Sequence, residues 1–91
     1  MNSIFSNESC YFCTAWLVEW HHVFSGPYRK KSTLYGYVVP LCIKHHNTSP
    51  DGVHFNKEKR NELKRICQRH FEETHTREEF IATFGKSYSE D

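Results

Sequence analysis

The spacing of apolar positions changes period along the chain, and that change predicts the elements. From Thr14 to Phe24, aromatic and β-branched residues (Trp16, Val18, Trp20, Val23, Phe24) predict a first strand. Ser25-Gly26-Pro27 breaks it. Tyr28 to Tyr35 carries Arg29, Lys30 and Lys31 and reads as a basic loop. Gly36 to Cys42 predicts a second strand, which Pro40 marks as short or edge-like because proline cannot donate to a ladder. Cys42 to His46 turns the chain, and Asn47 to Gly52 is dense in turn residues. From Asn56, a good N-cap, the period becomes helical: Leu63, Ile66, Cys67, His70 and Phe71 share one face. Lys57, Glu58, Arg60 and Glu62 mostly lie elsewhere. Thr76-Arg-Glu-Glu79 is a capping box for a last helix ending at Gly85, with Phe80, Ile81 and Phe84 as its buried side. The predicted order is strand, strand, long helix, short helix, an α+β class.

Ninety-one residues suggest one domain, expected over residues 9–85, with a flexible leader at 1–8 and a tail at 86–91. At 37% hydrophobic residues the core is thin, and chains this small commonly need a disulfide or a structural metal. Four cysteines and seven histidines therefore need an explanation. Twelve Lys+Arg against eleven Asp+Glu give no bulk field for nucleic acid, so any basic surface must be local. The first ten residues are too polar for a signal peptide, and no apolar run approaches a membrane span. The expectation is an intracellular, cytoplasmic protein, where reducing conditions favour thiolate ligands over disulfides.

Cys10-x2-Cys13 pairs with Cys42-x2-His45. Each half is a tight turn presenting two ligands, and two such turns supply the four tetrahedral donors of a closed structural zinc. His46 competes with His45 for the fourth place. Cys67, on an apolar helix face, is expected in the core. His70 and His75 read as structural or solvated. His21, His22, His46 and His54 exceed what one zinc needs. Adjacent strand residues face opposite ways, so one of His21 and His22 can bind a metal while the other faces a different task, or the strand end can twist to let both line one cleft.

Cys10-x2-Cys13, Trp20-His21-His22-Val23-Phe24, Val39-Pro40-Leu41-Cys42-x2-His45-His46-Asn47 and Gly52-Val53-His54-Phe55-Asn56 together resemble the HNH endonucleases. The likeness is to small phage-encoded members, including the phage recombination-enhancement nucleases, and it runs from Cys10 to about Phe84. It implies a zinc-stabilised ββα-metal fold with an added C-terminal helix, and hydrolysis of DNA phosphodiester bonds by nicking or double-strand cutting. By position it implies His22 as general base, with His21 and His46 as ligands of a catalytic ion. His54 is similar to an additional ligand of members with a longer turn. Where that family carries an asparagine that fixes the base, this chain carries Tyr37, so a tyrosine or a backbone carbonyl would have to orient His22. A phage origin would place the protein in the bacterial host cytoplasm.

The chemistry of these donors agrees. A divalent ion stabilises developing charge on a phosphodiester, and a neutral imidazole takes the proton of water. Histidine ligands suit Mg²⁺, Mn²⁺, Ni²⁺ or Zn²⁺ alike. Arg29, Lys30 and Lys31 are the expected phosphate contacts, giving DNA binding dominated by the backbone with little sequence specificity. The basic residues of the long helix interleave with glutamates and read as a solvated face. The expected state is monomer or homodimer, with room for a protein partner that targets the domain. Two other classes compete: a catalytically inactive, zinc-stabilised nucleic-acid-binding module, and an interaction adaptor using exposed aromatics and the charged helix.

Overall fold

A computed structural model of the chain describes residues 3–5, 8–48, 50 and 52–89. The expected leader and tail thus fall partly outside the described residues, as do Ser49 and Asp51 of the turn cluster. The order is β1 (Glu19–His22), a 3₁₀ turn (Gly26–Tyr28), α1 (Arg29–Leu34), β2 (Val38–Leu41), a π-helical turn (Lys44–Thr48), α2 (Lys57–Phe71) and α3 (Arg77–Phe84). This is a small mixed α+β arrangement around a two-stranded antiparallel sheet. No described helix is long and apolar enough to cross a membrane.

β1 is much shorter than the expected strand from Thr14 to Phe24. The segment before it is committed elsewhere: the Ala15 carbonyl accepts from Cys10 N–H at 2.8 Å, while Trp16 and Leu17 are 78% and 71% exposed. The register pairs Glu19 with Leu41, Trp20 with Pro40, His21 with Val39 and His22 with Val38. β2 is likewise shorter than the expected 36–42 strand. Pro40 is tolerated because this sheet has only edge strands.

The expected basic loop over Tyr28 to Tyr35 is instead a 3₁₀ turn running into α1. Pro27 sits near the start of the turn, consistent with its preset φ. A tertiary latch holds the helix. The buried Ser32 hydroxyl donates to the Tyr37 carbonyl (2.6 Å) and accepts from Phe24 N–H (3.2 Å). Ser32, next to the three expected phosphate contacts, is thereby occupied inside the fold.

α2 starts where expected, with the Asn56 side chain accepting from Lys59 N–H at 3.1 Å. Leu63, Cys67 and Phe71 are buried as predicted, and Gln68 is buried as well. The Gln68 amide is satisfied by Glu72, Ser87 and the Tyr88 N–H. α3 carries both halves of the capping box and ends at Gly85, whose φ of +94° favours glycine. Phe80 and Phe84 are in the core, but Ile81 is exposed, which corrects its expected burial.

The core is largely aromatic. Phe24 stacks on Phe84 with centroids 4.2 Å apart, and Tyr37, Phe71 and Phe80 close around them. Residues 3–5 of the expected leader lie against this domain: Ile4 and Phe5 pack on the core and Ile4 N–H donates to Gly36. The Ser3 hydroxyl donates to the Val38 carbonyl.

Candidate metal centres

Tyr11 N–H donates to the Pro40 carbonyl at 2.9 Å, so the Cys10–Cys13 turn is tied to the end of β2. There it meets Cys42 and His45. Zinc–sulfur bonds of about 2.3 Å in a tetrahedron place ligand atoms about 3.5–3.8 Å apart. Two separations agree, Cys13 Sγ to Cys42 Sγ and Cys10 Sγ to His45 Nδ1 at 3.7 Å each, and Cys42 Sγ to His45 Nδ1 is closer at 3.2 Å. No disulfide forms, since all four cysteines are free. Burial would push the Cys10 thiol up, but backbone N–H groups of Cys42, Phe12 and Cys13 together bring it below its ordinary value. Cys10, Cys13, Cys42 and His45 can hold a metal ion, and the donor set is compatible with structural zinc.

His46 does not join this group. Neighbours on a helical turn diverge by about 100°, and the π-helical turn from Lys44 sends His45 one way and His46 the other. His21, His46 and His54 form a second cluster, each offering a ligand atom within 4.8 Å of the others. β1 supplies His21, buried on one face of the strand. His54 is brought in by backbone pairing after the turn: Val53 N–H donates to His45 (2.9 Å) and His54 N–H to His46 (3.2 Å). The Arg60 guanidinium then grips the Val53 carbonyl at 2.8 Å, tying that segment to α2.

The three rings lie close, with centroids 4.7–5.3 Å apart. Burial, then the neighbouring His46 and His54, push His21 down to about 3. His54 is also lowered, by burial first and then by His46 and Arg60. Neutral imidazoles are the form that binds a cation.

Sequence reading missed one participant. Glu19 Oε1 sits 2.8 Å from His46 Nδ1. With Nδ1 engaged by a carboxylate, Nε2 is the nitrogen left for an ion, an outer-sphere arrangement that orients metal-bound histidines. The signal was present: Glu19 and His21 are two apart on one strand and share a face.

A cleft of about 280 Å³ opens in front of the cluster, lined by His21, His46 and His54 and also by His22 and Arg29. His22 is in the cleft but outside the three-histidine group. Burial, then Arg29, hold its ring below the ordinary histidine value. Tyr37, the residue at the asparagine position, is turned away from this cleft: its hydroxyl is 3.2 Å from His70 Nδ1. Its carbonyl accepts from Val23 N–H and the Ser32 hydroxyl. Among the described residues no side chain hydrogen-bonds the His22 ring.

Of the three expected phosphate contacts only Arg29 lines the cleft. Lys31 Nζ instead donates to the Thr83 carbonyl at 3.3 Å, and Lys30 is exposed on α1 away from the cleft lining. Cys67 is fully buried in the core, as expected. His70 pairs with Tyr37, and His75 stacks on Phe71 at 4.2 Å. No family model, curated protein or solved structure matches this chain.

Proposed function

We propose that the chain is a metal-dependent endonuclease of the HNH kind, a ββα-metal domain that hydrolyses DNA phosphodiester bonds. The reading assigns structural zinc to Cys10, Cys13, Cys42 and His45, and a catalytic divalent ion to His21, His46 and His54. One observation carries it: three imidazoles gather beside a cleft into which a fourth, His22, also faces without joining them. A structural metal needs no such fourth group; general-base catalysis beside an ion does.

When bound, a divalent ion supplies charge stabilisation to the phosphate and the leaving oxygen. His21, His46 and His54 fix its position, and Glu19 holds the His46 ring. His22 receives the proton of the attacking water at a ring nitrogen. Arg29, lining the same cleft, carries a planar fork suited to phosphate oxygens.

A second reading, a zinc-stabilised nucleic-acid-binding module without cleavage, is favoured by Tyr37, whose hydroxyl serves His70 and leaves the His22 ring without an orienting partner among the described residues. Incubating zinc-loaded protein with supercoiled plasmid and Mg²⁺, Mn²⁺, Ni²⁺ or Zn²⁺ separates the two. The nuclease reading expects nicking by the wild type and none by a His22→Ala protein that keeps its zinc and its melting transition. Nicking by His22→Ala at the wild-type rate overturns the base assignment. Binding without cleavage in every ion selects the module.

A further inference from the structure

The histidine cleft is unbalanced in charge. Besides Arg29 of α1 it is lined by Arg60 and Lys64 of α2, and among the described residues no aspartate or glutamate lines it. Arg60 and Lys64 stand one helical turn apart on one face, a spacing at which like charges repel. Both are held there by the fold. Arg60 is anchored on the Val53 carbonyl, and the Lys64 ammonium lies 4.9 Å from the Tyr88 ring centroid. Burial, then Arg60 and Lys86, hold the Lys64 ammonium below its ordinary value.

A second cleft shows what a self-compensated basic surface looks like here. It has a volume of about 400 Å³ and lies between α2, the start of α3 and Ser89, where Arg65, Arg69 and Arg77 stand beside Glu72 and Glu73. Arg77 pairs with Glu72 at 3.3 Å. At the histidine cleft the one carboxylate in contact among the described residues is Glu19, on His46, while Arg29, Arg60 and Lys64 line it, and an ion held by three imidazoles would add further positive charge. An anion is the missing component.

We propose that Arg60 and Lys64, with Arg29 in the same cleft, form an anion subsite that grips backbone phosphate of the DNA strand beside the histidine cluster. This rests on the nuclease reading for the identity of the anion. It moves the phosphate grip from Lys30 and Lys31 to α2, whose basic residues read as merely solvated in the sequence. Arg60 supplies a planar fork and keeps further N–H donors beyond the one spent on Val53. Lys64 supplies a point charge. Each phosphate contact releases condensed counterion, so each contributes to the salt dependence of binding.

The test is the affinity of zinc-loaded full chain for a short, labelled, mixed-sequence DNA duplex across a salt series, with no second ion added. Lys64→Gln is expected to weaken binding and to lower the slope of log K against log salt by about 0.9. Lys64→Arg should restore the slope, and Lys30→Gln and Lys31→Gln should leave it at the wild-type value. Zinc content and melting temperature are measured on each variant. A Lys64→Gln protein that keeps the full slope, or a slope that falls in Lys30→Gln and Lys31→Gln instead, overturns the subsite. Should Lys64→Gln not fold, Lys64→Arg and Arg60→Lys carry the test: a wild-type slope in both with weaker binding in Arg60→Lys supports it, and unchanged binding in Arg60→Lys overturns it. No cleavage is needed for this readout. A lowered slope in Lys64→Gln beside absent nicking keeps the subsite and removes the nuclease reading.

Discussion

His45 and His46 are neighbours in sequence, yet they serve two clusters of opposite character. The first cluster has three sulfurs and one nitrogen, is tied down by backbone N–H groups and has two of its cysteines buried. Thiolates there would more than neutralise a dipositive ion, so nothing further is required. The second has nitrogen donors only, with Glu19 behind His46, and opens on a cleft lined by cations. Neutral imidazoles leave the charge of an ion uncancelled, and the site then calls for anionic oxygen from outside. On the proposed function, the thiolate-rich cluster is the structural centre and the imidazole cluster the working one. The difference comes from a single helical turn that aims consecutive residues at separate places.

The comparison breaks most visibly if the two clusters respond alike to losing a ligand. Cys42→Ser should abolish the cooperative melting transition, as should chelation of the wild type. Structural zinc contributes about 10–16 kcal/mol in zinc-finger peptides, comparable with the whole stability of a small domain at about 5–15 kcal/mol. His21→Ala should retain one zinc by elemental analysis and a melting curve close to wild type, while losing binding of an added divalent ion. A Cys42→Ser protein that melts like the wild type would mean that the first cluster is not what holds the fold.

A finer contrast lies in Glu19. If its hydrogen bond to His46 serves the ion, Glu19→Gln should weaken Mn²⁺ or Ni²⁺ binding to zinc-loaded protein by roughly 10–100-fold in calorimetric titration. Melting should barely move, because a surface contact of this kind contributes only about 0–1 kcal/mol even when both groups are charged. Unchanged ion affinity would reduce Glu19 to a surface partner of His46. The three sulfurs of the first cluster are instead carried by local turns.

That locality also decides how much the sequence could tell. Cys10-x2-Cys13, Cys42-x2-His45, the Asn56 cap and the Thr76–Glu79 box are all settled within four residues, and each is found as read. Features that depend on distant contacts were not legible. α1 depends on Ser32 bridging Phe24 and Tyr37, so a basic stretch read as loop is a helix. The Tyr37 hydroxyl finds His70, 33 residues away, which no spacing rule announces. β1 is shorter than its pattern predicts because Trp16 and Leu17 are strand-type residues that lie exposed before it. Arg60 and Lys64 were hidden among glutamates that project elsewhere. Glu19 is the exception, since its two-residue offset from His21 was readable and only the length of the strand obscured it.

The smallest effect tests whether acid sensitivity belongs to the metal clusters at all. Thr76→Ala removes half of the α3 capping box and should cost about 1 kcal/mol at neutral pH, or about 4–8 °C in melting temperature. Neither cluster should lose metal. The Glu79 carboxylate accepts from Thr76 N–H at 2.9 Å, and that bond holds its carboxyl below the ordinary value. A carboxyl lowered in the folded state adds stability above its unfolded value and loses it as pH falls through the folded one. Zinc release by protonation of thiolate and imidazole ligands also destabilises the protein on the acid side. Glu79→Gln removes the titrating cap while leaving the zinc ligands intact. Acid unfolding of that variant should therefore coincide with zinc release followed by a chromophoric chelator, whereas the wild type carries the added contribution of the cap. If Thr76→Ala sheds zinc at neutral pH, stability at α3 and at the knuckles is shared through the aromatic core, and the closed site is less autonomous than its local turns imply.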